Sequence, residues 1–402
     1  MFWQNLMAHI LYLHQYYCPE GGFGNNRSAE FAKYWVQSGH RVTVLTSVAQ
    51  FPKEHPAHQH SVFQYSEHGI EIIVFNIPYQ HEFSFLKRIF AWIQFLVNGL
   101  LKQKQLPKPD LMYASSTPLT IGELGLQLSS IWKVPFVLEC VDVWPDVPVG
   151  MNILKNPILI QLIQSRTNFY YQSAKKIIAL SSGMKSQIES HQVPKEKIFV
   201  IPNGTNTKQF SKMNLQISEK RTGIYAGTIG LANDVSKLLD AMEWIQQNKS
   251  GFPLEIVIIG KGNDSERIQK RLQTKAIQGI QLLPPVPKSE IQNYLSKAHF
   301  GIVTFAGYSV LEANSANKWF DYLAMGLPVV QNYQGWQAEY LQQFGCGFSS
   351  PQNQTEAFAK NLMQMATMPA EELLKMSENA RNLSLQFDRE TLARQTLEII
   401  LS

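Results

Sequence analysis

Three loop-like stretches carry side chains suited to holding an anion or handling a hydroxyl: CPEGGFGNNR at residues 18–27, ECVDVWPDVP at 139–148 and EANSANKWFDYLAMGLP at 312–328. In the first, Gly21, Gly22 and Gly24 precede a helical pattern that starts near Asn26. Glycines let main-chain N–H groups approach a ligand with no Cβ in the way. A helix start adds unpaired N–H donors and the positive end of its dipole, which together suit a phosphate. The spacing is neither GxGxxG nor a P-loop, because Arg27 takes the last glycine's place and no GK[ST] follows. A tight turn before a capped helix accounts for the same glycines, so this stretch alone does not decide.

In the second stretch, Asp142 sits just past the apolar run Phe136–Leu138, where a side chain at a strand end can meet a ligand. Its carboxylate could orient or deprotonate a hydroxyl, and Trp144 offers a flat face to a sugar ring. The plainer reading is that Asp142 caps the next turn and Trp144 packs. Asp142 and Asp146 are four apart and no DxD occurs in the chain, so no metal is expected. In the third stretch a polar loop enters a helix at about Asn317, and Gly326 ends it. The helix start presents donors, Lys318 adds positive charge and Asp321 lies one turn in. A diphosphate would sit at the helix start, with Asp321 accepting from ribose hydroxyls. An ordinary amphipathic helix with a solvated Asp321 is the alternative.

A fourth stretch is of another kind. In FSFLKRIFAWIQFLVNGLLKQK, residues 83–104, apolar side chains keep helical spacing, with Lys87, Gln94, Asn98 and Lys102 on the other face. Lys87, Arg88 and Trp92 suit the headgroup region of a membrane, although a core helix of the first domain would show the same pattern. The stretch is too short and too polar to span a bilayer.

These loops must be positioned by the elements around them. Short apolar runs alternate with helical ones: His9–Leu13, the helix Arg27–Gln37, then strands at Val42–Thr46, Ile70–Phe75, Leu111–Ala114, Phe136–Leu138, Ile177–Leu180 and Ile198–Ile201. A polar stretch without periodicity, NGTNTKQFSKMNLQISEKR at 203–221, interrupts them. Strands then resume at Gly223–Ala226, Leu254–Ile259, Ile280–Leu283, Phe300–Phe305 and Pro328–Val330. Helices fall near 235–247, 265–275, 288–297 and 317–325, and the tail from about 354 is helical throughout. Such alternation predicts α/β architecture with parallel sheets covered on both faces. The expected organisation is 7–204, a linker over 205–221, 222–385, and a final helix at 386–402 packing back toward the first domain. In such sheets ligands sit beyond the carboxyl ends of strands, so a cleft between the two domains is the expected site.

Composition narrows the function classes. With 45% hydrophobic and 17% charged residues the 402-residue chain has the balance of a globular protein. The net charge of +5, from 36 basic and 31 acidic residues, is too small to argue for a nucleic-acid partner. Cys18, Cys140 and Cys346 are scattered, form no CxxC, and read as free thiols of a reducing compartment. Met1–Leu6 lack the positive start of a secretory signal, and Met7 is an alternative first residue. The expected location is cytoplasmic, at the inner face of the cytoplasmic membrane.

At four stretches the chain resembles a family-4 retaining glycosyltransferase of the GT-B fold, most of all the bacterial branch that builds O-antigen, capsule or exopolysaccharide units. They are LYLHQYYCPEGGFGNNRSAEFAKYWVQSGHRVTVLTS, VLECVDVWPD, VIPNGTNTKQF and NKWFDYLAMGLPVV, in order over nearly the whole chain. The resemblance implies two doubly wound Rossmann-like domains facing across a cleft, the first for the acceptor and the second for the donor. It implies metal-independent transfer of a sugar, of the hexosyltransferase type, from a nucleoside-diphosphate sugar to a saccharide or lipid-linked acceptor. Under it Gly21 and Gly22 approach the donor diphosphate from one side and the helix start around Ala316 and Asn317 from the other. Asp142 and Glu312 are then the catalytic candidates. Arg27 and Trp144 are the acceptor-binding ones.

The chain departs from the family's pattern in three places. The family's ribose-holding Glu is the shorter Asp321. Its companion acid would fall at Ala313, with Glu312 one place off. Many members carry an Arg and a Lys where this chain has Thr228 and Asn233, which leaves Lys318 and Lys261 to meet the phosphate charge. A nucleotide-sugar epimerase of the same architecture is the alternative. A dinucleotide dehydrogenase and a non-catalytic sugar-binding protein rank below it.

Overall fold

A computed structural model of the chain describes residues 7–22, 26–80, 83–210, 217–218, 220–287 and 290–402. Met1–Leu6, Gly24 in the glycine stretch, much of the expected linker and the first two residues of the helix expected at 288–297 lie outside that description. The chain divides into two compact units, residues 1–202 with 389–402, and residues 203–388.

The first unit contains strands β1 (His9–Leu13), β2 (Arg41–Ser47), β3 (Val62–Glu67), β4 (Ile70–Phe75), β5 (Leu111–Ser115), β6 (Phe136–Cys140), β7 (Lys176–Ala179) and β8 (Ile198–Val200). Between them run helices α1 (Arg27–Gln37), α2 (Phe85–Leu101), α3 (Thr120–Trp132), α4 (Asp146–Gly150), α5 (Pro157–Ser173) and α6 (Ser182–Ser190). The second unit contains β9 (Arg221–Ala226), β10 (Leu254–Ile259), β11 (Ile280–Leu283), β12 (Phe300–Val303), β13 (Val329–Gln331) and β14 (Gly347–Ser349). Its helices are α7 (Ser236–Asn248), α8 (Ser265–Lys275), α9 (Ile291–Leu295), α10 (Asn317–Ala324), α11 (Trp336–Phe344), α12 (Thr355–Thr367) and α13 (Ala370–Ser384). The chain ends in α14 (Arg389–Leu401).

The first sheet runs β3-β4-β2-β1-β5-β6-β7-β8 and is parallel except for β3, which pairs antiparallel with β4. The second runs β11-β10-β9-β12-β13-β14 and is parallel throughout. Both are Rossmann-like, and their strands are apolar runs because helices cover both faces. The direction of winding reverses between β1 and β5 in the first sheet and between β9 and β12 in the second. Such reversal points open a crevice at the strands' carboxyl ends, where ligands bind. Two strands escaped the sequence reading. β3 alternates exposed and covered residues at a sheet edge instead of running apolar, and β14 is a three-residue strand that begins with glycine.

Helix α14 belongs to the first unit because its apolar side chains complete the layer over α1. Leu392, Ala393, Leu397 and Ile400 share a core with Phe31 and Trp35, and Trp35 Nε1 donates to the Ala393 carbonyl at 2.9 Å. The linker reading needs correction at both ends. Arg221 already lies in β9, and Thr205 pairs with Asp388 in an isolated parallel bridge. Arg381 donates to the carbonyls of Thr207 (3.1 Å) and Phe210 (2.7 Å). The start of the expected linker is therefore folded against the end of the second unit.

Candidate functional site

In the first unit the glycine stretch leaves β1 at the reversal point. Gly21 has φ +74°, a backbone that favours glycine. A Cβ on Gly22 would lie 2.7 Å from the Gln50 carbonyl oxygen, so close packing also demands glycine there. His14, which sequence reasoning passed over, follows β1 directly and pairs through Nδ1 with Ser28 Oγ at 2.7 Å. Burial pushes its imidazole down to about 4, so it is neutral at physiological pH.

Asp142 follows β6 and is half-buried. Burial pushes its carboxyl above the ordinary range, against the hydrogen bond that Thr117 Oγ1 donates at 3.3 Å. Trp144, also half-buried, stands two residues on. Beneath this loop Asp146 Oδ2 lies 2.6 Å from His191 Nε2, and His191 Nδ1 lies 2.8 Å from Asn168 Oδ1. Asp146 thus anchors the loop, a role only the fold reveals.

Arg27 does something other than bind an acceptor. It is 4% exposed, and its Nε donates to Glu139 Oε1 at 2.9 Å. Its remaining nitrogens reach the carbonyls of Pro202 (2.5 Å) and Ile201 (3.3 Å). Glu139 is 1% exposed and also accepts from Tyr113 Oη (2.9 Å) and Tyr12 Oη (3.2 Å). The acceptor-binding expectation for Arg27 is corrected on this ground: a guanidinium in a buried ion pair, with main-chain carbonyls filling its other sides, has no face left for substrate.

The second unit builds its site on α10. The Tyr322 hydroxyl oxygen accepts from the Ala226 N–H at 2.8 Å, tying the helix to β9. Lys318, in the first turn, reaches back over the loop after β9. Its Nζ donates to Tyr225 Oη (3.1 Å) and Asn233 Oδ1 (3.0 Å) and stands 4.3 Å from the Tyr225 ring centroid. Among the described residues no carboxylate pairs with it, and burial pushes its ammonium down to about 7. A Cβ on Gly227, whose φ is +152°, would lie 2.7 Å from Lys318 Cε. A Cβ on Gly260 would lie 1.8 Å from the Gly227 carbonyl oxygen, so the loop after β10 also needs glycine to close on the loop after β9. Asn233 and Gly227 are thus the neighbours that seat Lys318, and sequence spacing gave no sign of either role.

Asn317 opens α10, and just ahead of it the Ser315 carbonyl accepts from Asn203 Nδ2 at 2.7 Å. Asp321 Oδ1 accepts from Thr205 Oγ1 at 2.6 Å. Glu312 lies in the short 3-10 turn Ser309–Ala313 and accepts from the Gln334 N–H at 3.4 Å. Lys261 is exposed, and its carbonyl accepts from the Ile229 N–H at 3.1 Å. The structure therefore gathers Asn317, Lys318 and Asp321 on one helix start. No group of three or more His, Cys, Asp or Glu is placed to hold a metal ion among the described residues.

Helix α2 turns its apolar side chains outward: Leu86 is 78% and Leu101 76% exposed, with Phe85, Phe90, Ile93 and Val97 beside them. Lys87 Nζ rests 3.7 Å from the Phe83 ring centroid. Trp92 departs from its expected place among headgroups, being half-buried with Nε1 donating to Tyr16 Oη at 2.7 Å. Helix α5 adds exposed Ile158, Leu162 and Phe169. No helix of the described residues is long and apolar enough to cross a membrane.

Comparison with known families matches residues 24–204 to the glycosyl transferase 4-like domain and residues 206–383 to the glycosyl transferases group 1. The chain belongs to the GT-B glycosyltransferases of family-4 type. Solved structures similar to this transferase agree in fold. The sucrose-phosphate synthase of Thermosynechococcus elongatus superposes with a TM-score of 0.77 at 15% identity, covering 98% of each chain. HepE of Anabaena, solved with UDP-glucose, gives 0.70 at 15% identity over 97% of this chain and 98% of its own. WaaG, a glycosyltransferase involved in lipopolysaccharide biosynthesis, gives 0.65 at 15% identity over 97% and 99%. Among curated protein sequences none matches the transferase.

Breaking the buried Arg27–Glu139 pair leaves an uncompensated charge, so Glu139→Ala is expected to cost about 3–5 kcal/mol. Urea unfolding at pH 7 reads it as a lower midpoint. Burial alone would raise the Glu139 carboxyl, but Arg27 and Tyr113 hold it below its usual range. Its stabilisation is therefore complete above the unfolded carboxyl pKa of about 4.3 and is lost as pH falls through the lower folded value. The gap between wild type and variant should close in acid.

Proposed function

We propose that the chain is a retaining, hexosyl-type transferase that moves a sugar from a nucleoside-diphosphate sugar to a saccharide acceptor. The observation that carries the donor half is Lys318: a lysine in the first turn of a helix, at the reversal point of a parallel sheet, held by two neutral oxygens. Its ammonium, at the positive end of the helix dipole, suits a diphosphate. Asp321 takes the ribose, Gly21 and Gly22 approach the diphosphate, and Lys261 adds charge from the loop after β10. HepE, which shares the fold, binds UDP-glucose. The two family matches are both to glycosyl transferases and give the epimerase reading no support.

In the reaction the acceptor hydroxyl attacks the anomeric carbon on the face that the diphosphate leaves. The carbon–oxygen bond to phosphate breaks, and the hydroxyl proton passes to the departing phosphate oxygen, so no strong protein base is needed. The protein contributes positioning and charge stabilisation. Asp142 orients the acceptor hydroxyl, Trp144 stacks on its ring and Glu312 serves on the donor side. No metal enters this scheme.

The acceptor is read as lipid-linked, in surface-polysaccharide synthesis at the cytoplasmic membrane face. The outward apolar side chains of α2 and α5 support this. So does charge: no Asp or Glu lies between Glu82 and Asp110, nor between Asp146 and Glu189, whereas Lys87, Arg88, Lys102 and Lys155 do, Arg166 being neutralised by Glu123 at 2.6 Å. Such faces suit an anionic bilayer.

Two measurements test these readings. A diphosphate bound to Lys318 favours its charged form, so donor binding takes up a proton. Affinity for the sugar nucleotide that most raises the melting temperature should be level in mild acid. Above about pH 7 it should fall by up to about tenfold per pH unit. Calorimetry of Lys318→Met should show weaker binding with no such slope, and a slope that survives the substitution removes Lys318 from the diphosphate. For the membrane, the protein should float with phosphatidylglycerol-containing liposomes, and Leu86→Asp with Leu162→Asp should abolish flotation. Equal flotation of wild type and variant counts against the surface.

A further inference from the structure

Thr205 lies two residues into the second unit, at the first of the two points where the chain passes between units. It is fully buried. Its N–H donates to the Phe387 carbonyl at 3.0 Å, and it bridges to Asp388. Thr207 donates to the Asp388 carboxylate through both its main chain and its hydroxyl. The main chain at Thr205 is therefore held from one side, and its hydroxyl points to the other, where it donates to Asp321 Oδ1 at 2.6 Å. Two residues earlier, Asn203 Nδ2 holds the Ser315 carbonyl in front of α10. The segment 203–205 thus fastens the start of α10 at two points, one on the main chain and one on the acid.

We propose that Thr205 is a positioning residue for the donor: its hydroxyl sets the orientation of the Asp321 carboxylate that receives the ribose. This rests on the ribose reading of Asp321 given above. The physical need is plain. Asp is one methylene shorter than the Glu that the family resemblance places there, so its oxygens sweep a smaller arc, and a rotamer aimed away from the ribose cannot be made up by reach. A short hydrogen bond to a charged acceptor is strong enough to select one rotamer, and Thr205 can supply it because its own χ1 is restricted by β-branching and its main chain is pinned.

The test uses the full chain and whichever of UDP, GDP, CDP or ADP the unsubstituted protein binds, compared by calorimetry with the 2′,3′-dideoxy form of the same nucleotide. Wild type should prefer the ribose form by about tenfold, the worth of one hydrogen bond to a carboxylate. Thr205→Ser should keep that preference. Thr205→Val should lose most of it, as should Asp321→Ala, and the double variant should be no worse than Asp321→Ala. A uniform weakening of both nucleotides would be the mark of a structural role, and the ratio separates the two. If Thr205→Val fails to fold, Thr205→Ala takes its place. Should the valine variant keep the preference while Asp321→Ala loses it, the proposal is overturned. Should Asp321→Ala keep it too, the ribose reading itself falls and this inference goes with it.

Discussion

An ammonium taken partly out of water without a carboxylate beside it is costly unless neutral oxygens and an incoming anion offset the loss. Lys318 is held under that constraint, and the second unit is shaped around it. Tyr225 at the end of β9 gives a ring face and a hydroxyl, and Asn233 gives a carbonyl oxygen. Gly227 gives the room that a Cβ would close. The loop after β10 can then close over the loop after β9 only because Gly260 also lacks a side chain. Of the two positions where the family resemblance places phosphate-binding cations, Thr228 and Asn233, the second has another task here. Asn233 holds Lys318, the lysine proposed to meet the donor's charge.

The first unit handles charge in the opposite way. Arg27 and Glu139 neutralise one another inside the protein, with two tyrosine hydroxyls and two main-chain carbonyls completing their hydrogen bonds. A pair so enclosed offers specificity of structure and no ligand site. It has an architectural consequence. Arg27 holds the carbonyls of Ile201 and Pro202, the last residues before the chain leaves the unit. Arg389, the first residue after it returns, donates to Asn26 (2.7 Å) and Glu30 (2.9 Å). One helix start therefore secures both passages of the chain, directly after the glycines that the transfer reaction is proposed to use.

The outward face of α2 illustrates how the same residues can satisfy two demands. Ala91, Phe95 and Gly99 are buried, and Gly99 lets α3 approach closely, since a Cβ there would lie 2.7 Å from Leu124 Cδ2. Phe95 apart, large apolar residues such as Phe85, Leu86, Phe90 and Leu101 are turned away from the core. A helix that buried its bulk would invert this distribution, which is why the face stands out once burial is known.

Much of the architecture was legible in the sequence. The strands at His9–Leu13, Ile70–Phe75, Leu254–Ile259 and Ile280–Leu283 and the helices at Arg27–Gln37 and Ser265–Lys275 stand where apolar runs and helical spacing put them, because local pattern and buried parallel strands are local properties of the chain. The family, too, was readable from ordered motifs. What local pattern could not decide was which polar residue faces which. Arg27 reads as a ligand-binding cation until β6 brings Glu139 to it from 112 positions away. Asp321 reads as a lone carboxylate until the chain returns Thr205 to it across 116 positions. A charge's role depends on its partner and its burial, and both are set by the order of strands in the sheet. That order is a property of the whole fold, and no stretch of sequence contains it.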